Sequence, residues 1–197
     1  MSRNSKRRAG TRPYVSHARI VAAVRSADAV TVALGTAWYP AAEAIARELA
    51  TEFGVSLECA AAVIAHTSPR TAWDLKRSSR RPNIEAARVV LAGEARPSWV
   101  LRRNYDNAMR AMVADNPLDT FGPRAPKTRS FARNIVGDVD AVTVDVWAAR
   151  VVGVSEKRLA RVGGYQSVAR AYRRAAAELG ITPRECQAIA WMAVRGA

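Results

Sequence analysis

The run Leu57 to His66 reads LECAAAVIAH and carries one acidic charge, Glu58, near its leading end. A helix that is apolar on every side has no face to offer water, so other elements must surround it. Such a segment demands a fold in which one buried helix is packed about by several others. The chain shows no internal repeat and no low-complexity segment.

Around this segment the apolar spacing is helical. Ala37 to Phe53 is expected to form a helix stopped by Gly54, which takes the left-handed turn at no steric cost. Thr71 to Arg80 is short and basic. Asn83 is placed to cap a helix that runs to Ala92 and closes at Gly93. Leu101, Tyr105, Ala108, Met109 and Met112 make an apolar stripe, with Arg102, Arg103, Asp106 and Arg110 opposite. Thr128, Phe131, Ala132 and Ile135 form one face of the next helix. Tyr165, Val168, Ala169, Tyr172, Ala176 and Leu179 form another, ended by Gly180. Thr182-Pro183-Arg184-Glu185 is a capping box with proline at the first helical position, and it opens a last helix through Val194. Strand character is confined to Val139 to Val144. The predicted fold class is all-α. With 197 residues, the chain suits one two-lobed helical domain over residues 14–197 behind a flexible basic arm, residues 1–13.

Charge narrows the partners. The chain carries 31 basic against 17 acidic residues, a net +14, and only four of the basic residues are lysines. That balance favours a polyanion, nucleic acid first, through phosphate neutralisation and counterion release; an arginine-rich, GC-rich genome would give the same bias. The arm contributes Arg3, Lys6, Arg7, Arg8 and Arg12. A second cluster, Arg70, Lys76, Arg77, Arg80 and Arg81, follows the buried segment beside Pro69. It reads as phosphate-contacting or as a solvated face. The two cysteines, Cys59 and Cys186, lie in apolar helical patterns and are expected to be reduced, buried thiols of a cytosolic protein. Two cysteines and two histidines, His17 and His66, are too few for an iron–sulfur cluster or a zinc site, so no metal and no cofactor are expected. The longest uncharged run, Ala29 to Ala42, is too short to span a bilayer and contains Gly35 and Pro40. His17, Arg19 and Arg25 interrupt any signal-peptide core.

The chemistry-bearing stretch is PKTRSFARNIVGDVDAVTVDVWAARVVG, residues 126 to 153. Pro123 and Pro126 restrict the turn before Lys127. The following helix begins with free backbone N–H groups that suit a phosphate. Arg124, Lys127, Thr128 and Arg129 place donors and positive charge at that end. Eighteen residues after Lys127, Asp145 is set to cap an apolar helix from Val146 to Val152, which would fix its carboxylate in direction. An amine and a fixed carboxylate brought to one cavity could attack or stabilise a sugar carbon.

This stretch resembles the helix-hairpin-helix DNA glycosylase superfamily, the group that contains endonuclease III. The matching residues are Lys127-Thr128, then Val144-Asp145-Val146, then Ala149, Arg150 and Val151. The hairpin departs from that family's Leu-Pro-Gly-x-Gly, since its two glycine positions are Pro123 and Ala125; Trp147 stands where histidine is common. A wider resemblance is to phage and actinobacterial α-glutamyl/putrescinyl thymine pyrophosphorylase-like proteins. It rests on Gly35-Thr36-Ala37-Trp38-Tyr39, Ala60 to Ala65, Ser68-Pro69-Arg70-Thr71-Ala72-Trp73, the Lys127 to Arg150 run, and Gln187-Ala188-Ile189-Ala190-Trp191. Asparagine is frequent in those relatives at the position of Lys76.

The resemblance implies a two-lobed, glycosylase-like fold with a degenerate helix-hairpin-helix. It implies a monomer on double-stranded DNA in a bacterial or phage-infected cytoplasm, with a base flipped into the cleft between lobes. Asp145 would stabilise an oxocarbenium-like sugar, and Lys127, desolvated between helices, would be the attacking amine. His66, Ser68 and Trp73 would line the mouth, with Trp38, Trp73 or Trp147 against the base. The plainer readings are a helix cap for Asp145, a phosphate contact for Lys127, a satisfied interior imidazole for His66, and core packing for Trp38, Trp73, Trp147 and Trp191. The favoured activity is N-glycosidic cleavage. The rivals are a transferase acting on activated hypermodified thymine and a DNA binder without catalysis.

Overall fold

The computed structural model describes residues 15–71, 73 and 81–195. The basic arm, and Lys76, Arg77 and Arg80, lie outside the described residues. Ten α-helices occur among those described: α1 (Ala18–Arg25), α2 (Ala29–Phe53), α3 (Leu57–Thr67), α4 (Pro82–Leu91), α5 (Arg102–Met112), α6 (Pro126–Ile135), α7 (Val146–Val151), α8 (Glu156–Leu159), α9 (Gly164–Leu179) and α10 (Pro183–Arg195). A 3-10 turn, Pro117–Thr120, precedes α6. No strand is present among the described residues, so the protein is all-α.

α3 is the helix apolar on every side, and it is buried from Cys59 to Thr67. Ser56 caps it by accepting from the Cys59 N–H at 3.1 Å. Helices α2, α4, α5 and α6 pack around it, which gives each of its faces an apolar neighbour. The first core cluster is the result, and it includes Leu49, Val63, Ile64, Val90, Phe121 and Ile135. A second cluster gathers Ile20, Val142, Val144, Val151, Val168 and Tyr172 from α1, α7, α9 and the segment before α7. α10 serves both: Ala188 packs into the first, Cys186 and Ala190 into the second. The two cysteines are free and buried, one in each cluster.

α2 begins eight residues before the expected Ala37, because Asp28 accepts from the Thr31 N–H at 2.7 Å and caps it there. The helix continues through Pro40, whose ring nitrogen cannot donate to the Thr36 carbonyl. It meets α10 at Gly35. A Cβ there would lie 2.7 Å from the Ile189 Cα, so only glycine lets these two backbones approach so closely. Asn83 is not the cap of α4. Arg81 holds that position, Pro82 opens the helix, and Asn83 is buried inside its first turn. The strand-like stretch pairs with no strand among the described residues: Val139 and Asp140 lie in a turn, and only the part from Ala141 on leaves it. No single helix among the described residues is long and apolar enough to cross a membrane. The α1–α2 pair passes that test only jointly and is bent by 113°.

Candidate functional site

Six stretches of chain converge on one cavity of about 200 Å³. α2 supplies Trp38 and Tyr39; the segment after α3 supplies Ser68, Thr71 and Trp73; α4 supplies Asn83. α6 supplies Lys127 and Phe131, the segment before α7 supplies Thr143 and Asp145, and α10 supplies Gln187, Ala188, Trp191 and Arg195.

Local structure explains why these side chains meet. Residues 141–145 are extended, so alternate side chains face opposite ways. Val142 and Val144 enter the second core cluster, while Thr143 and Asp145 face the cavity. The Tyr165 hydroxyl holds this register. It donates to the Val142 carbonyl at 2.7 Å and accepts from the Val144 N–H at 3.1 Å. On α6, Lys127 and Phe131 are four apart and share a face. On α10, Gln187, Trp191 and Arg195 repeat that spacing.

Asp145 is held at both oxygens. Oδ1 accepts from the Ala148 N–H at 2.7 Å, capping α7, and Oδ2 accepts from the Trp191 indole Nε1 at 3.0 Å. Each carboxylate oxygen has a second lone pair, so the group can still accept from, or face, a guest. Lys127 lines the same cavity but is exposed. It stands at the rim with solvent access, which corrects the expectation of an amine desolvated between helices.

The aromatic wall is continuous. The Trp38 ring lies 4.7 Å from Tyr39, 5.1 Å from Trp73, 5.9 Å from Phe131 and 6.2 Å from Trp191, centroid to centroid. Arg195 lies over Trp191 at 4.6 Å. Behind the wall runs a buried polar chain. The Tyr39 hydroxyl donates to Gln187 Oε1 at 2.8 Å and sits 3.2 Å from the Asn134 amide oxygen, in the amide orientation that also lets Asn134 donate to the carbonyls of Asp138 and Ala141. Burial pushes the Tyr39 phenol well above its ordinary range.

Two expected site residues are placed elsewhere. His66 is buried and stacks on Phe121, with 4.1 Å between centroids and 16° between planes. Its Nε2 lies 2.9 Å from Thr120 Oγ1. That hydroxyl donates to the Pro117 carbonyl, so the imidazole N–H is the donor. Burial foremost, and Arg110 second, pull the His66 pKa down to about 4. The packing of Phe121 against α3 keeps this ring away from the cavity, and His66 is a satisfied interior imidazole. Trp147 does not line the cavity, because α7 turns it outward beneath the Arg150 guanidinium at 4.5 Å. Trp38, Trp73 and Ser68 do line it, with Ser68 Oγ donating to the Ile64 carbonyl at 2.6 Å.

Of the expected phosphate contacts, Arg70, Arg81, Arg124 and Arg129 are exposed. Each stands within four residues of a residue that lines the cavity. Arg70 has a positive φ of 64°. Arg129 donates to the Phe121 carbonyl, and Thr128 Oγ1 donates to the Ala125 carbonyl at 3.1 Å, so both brace the turn before α6. Tyr39, Asn83, Thr143, Gln187 and Arg195 line the cavity without having been expected there. A signal was present in two cases: polar residues at i and i+8 around Trp191, and the alternation of Val142-Thr143-Val144-Asp145.

Fold and site together define an all-helical protein with an aromatic cavity that holds a clamped carboxylate and a rim lysine. The chain belongs to a family of unknown function (DUF7178), which it matches over residues 1–197. No curated protein and no solved structure matches it.

Proposed function

We propose that this protein binds double-stranded DNA, takes a flipped base into the cavity, and cleaves its N-glycosidic bond. One observation carries the reading: Lys127 and Asp145, eighteen residues apart in sequence, line a single cavity walled by tryptophans. As the C1′–N bond breaks, its electron pair leaves with the base and positive charge grows on the sugar. A carboxylate already oriented by two N–H donors stabilises that charge without reorganising. Water, or the Lys127 amine in its neutral form, then adds at C1′ and gives up a proton, which neutralises the departing base anion. The indole faces suit an unstacked base.

Two further features support a two-lobed, glycosylase-like architecture. The buried residues fall into two clusters bridged by α10. A 3-10 turn, a tight turn closed by the Ala125 N–H on the Gly122 carbonyl at 3.0 Å, and α6 follow in the order of a degenerate hairpin. The exposed arginines beside the cavity, with the net +14, would neutralise phosphates on the flanking strands.

The test is base release. Duplexes carrying thymine and modified thymines are incubated with wild type and with Asp145→Asn, and free bases and abasic sites are quantified by mass spectrometry. Release by the wild type, lost in Asp145→Asn with DNA affinity kept, supports the reading. Altered nucleosides without any abasic site would point to group transfer instead. A second reading, DNA binding without catalysis, is favoured by the fact that Asp145 already has a structural partner on each oxygen; absence of any nucleoside change would select it.

A further inference from the structure

Asn83 is 1% exposed, yet among the described residues neither its Oδ1 nor its Nδ2 has a hydrogen-bond partner. Buried polar atoms are almost always paired, and one left unpaired in a native fold calls for an explanation. Here both ends of one amide are unpaired. The same residue lines the aromatic cavity. Its backbone is held in place, since Pro82 starts the helix immediately before it and Asn83 lies in the first turn. The amide is thus an unused donor–acceptor pair on a residue of the cavity wall.

We infer that Asn83 is the specificity-determining residue of the cavity. It reads the edge of a single planar heteroaromatic ring that presents a hydrogen-bond donor and an acceptor side by side. A carboxamide offers N–H and C=O in one plane, which matches such an edge with two parallel hydrogen bonds. Size selects one ring over two: an apolar cavity of about 150 Å³ holds one benzene, and this one is about 200 Å³. The guest does not intercalate between Trp38 and Trp73, whose centroids are already 5.1 Å apart. It lies against that wall, with its edge toward α4. The inference deepens the flipped-base reading and rests on it for the source of the ring. The recognition chemistry is that of a pyrimidine, whether held in DNA or free.

Equilibrium binding tests this separately from catalysis. The full chain is titrated, with tryptophan fluorescence as the readout, with thymidine, N3-methylthymidine and cytidine. The same bases are then presented within duplex oligonucleotides, beside an abasic control. Wild type is expected to prefer thymidine over N3-methylthymidine by about tenfold or more, because the methyl group blocks the paired edge. Asn83→Leu, close in volume but apolar, should bind both alike. Should Asn83→Leu fail to fold, the near-isosteric Asn83→Asp removes the N–H donor and should move preference from thymidine toward cytidine. Discrimination seen only in DNA supports both readings. Discrimination seen only with free nucleosides keeps the role of Asn83 and removes the DNA reading. Equal binding of edge-free and edge-blocked rings by wild type, or discrimination unchanged in the Asn83 variants, overturns the inference and leaves the recess to water.

Discussion

The indole of Trp191 and the carboxylate of Asp145, 46 positions apart, are joined by a hydrogen bond of 3.0 Å. This contact ties the last helix to the start of α7. It aims the carboxylate into the cavity, where an ordinary N-cap would leave it facing water. The cap and the aim can be separated by mutation. Asp145→Ser retains a good capping oxygen and Asp145→Ala does not. Asp145→Ala is expected to cost about 1–2 kcal/mol in urea unfolding, and Asp145→Ser less than half of that. Both should lose base release equally, because neither has a charge to set against the sugar cation.

Gly35→Ala should lower stability by about 1–3 kcal/mol in thermal or denaturant unfolding. At an ordinary helix position the same change raises stability by about 0.5–1 kcal/mol. The sign reverses because the new methyl would meet the Ile189 backbone at 2.7 Å, and backbone cannot swing aside as a side-chain tip can. A neutral or stabilising outcome would show that α2 and α10 are less tightly apposed.

Tyr165→Phe removes both hydrogen bonds that hold the extended segment at Val142 and Val144. The expected loss is about 1–2 kcal/mol, and ligand affinity at the cavity should fall as well, since Thr143 and Asp145 lose their register. Calorimetry on the same sample reads both. Loss of stability with intact binding would show that the segment keeps its course without the clamp.

His66 imposes a pH dependence. Its folded pKa is pulled down to about 4 from an ordinary value near 6.5, chiefly by burial. The folded state therefore resists protonation more than the unfolded chain does. The neutral imidazole's contribution is complete above about pH 6.5, declines as pH falls toward 4, and changes no further below that. The full swing is at most about 3 kcal/mol. Urea unfolding of wild type and His66→Gln at pH 7, 5.5 and 4.5 should show wild type losing more stability on acidification than the variant.

Arg124 is exposed in the turn before Lys127. Arg124→Gln should weaken duplex binding similarly for all sequences and reduce the slope of log K against log salt by about 1. An unchanged slope would place the phosphates elsewhere.

Much of the helical framework was legible because its signals are local. α3 needed only its own apolar surface to declare itself buried. The capping box at Thr182 forms as written, with Glu185 Oε2 accepting from the Thr182 N–H at 2.9 Å and the Glu185 N–H reaching back to Thr182 Oγ1 at 3.2 Å. Asn83 misled for a related reason. Asparagine favours caps, but Pro82 is a better first residue for a helix, and that shifts the cap to Arg81 and turns Asn83 inward. The start of α2 was missed because Thr31, Val32 and Gly35 are weak helix formers, and packing against α10 overrides them.

Periodicity, caps and glycine stops by themselves determined an all-helical chain with α3 at its centre, since each is settled within a few residues along the backbone. Which side chains share the cavity was decided only by the tertiary structure. Lys127 and Asp145 share it because α6 packs on α2 and α3 while the segment before α7 lines the same space. His66 and Trp147, as near in sequence to the same motifs, are turned away by Phe121 and by the short reach of α7. Side-chain direction at a helix end depends on what the helix packs against, and that contact comes from residues far along the chain.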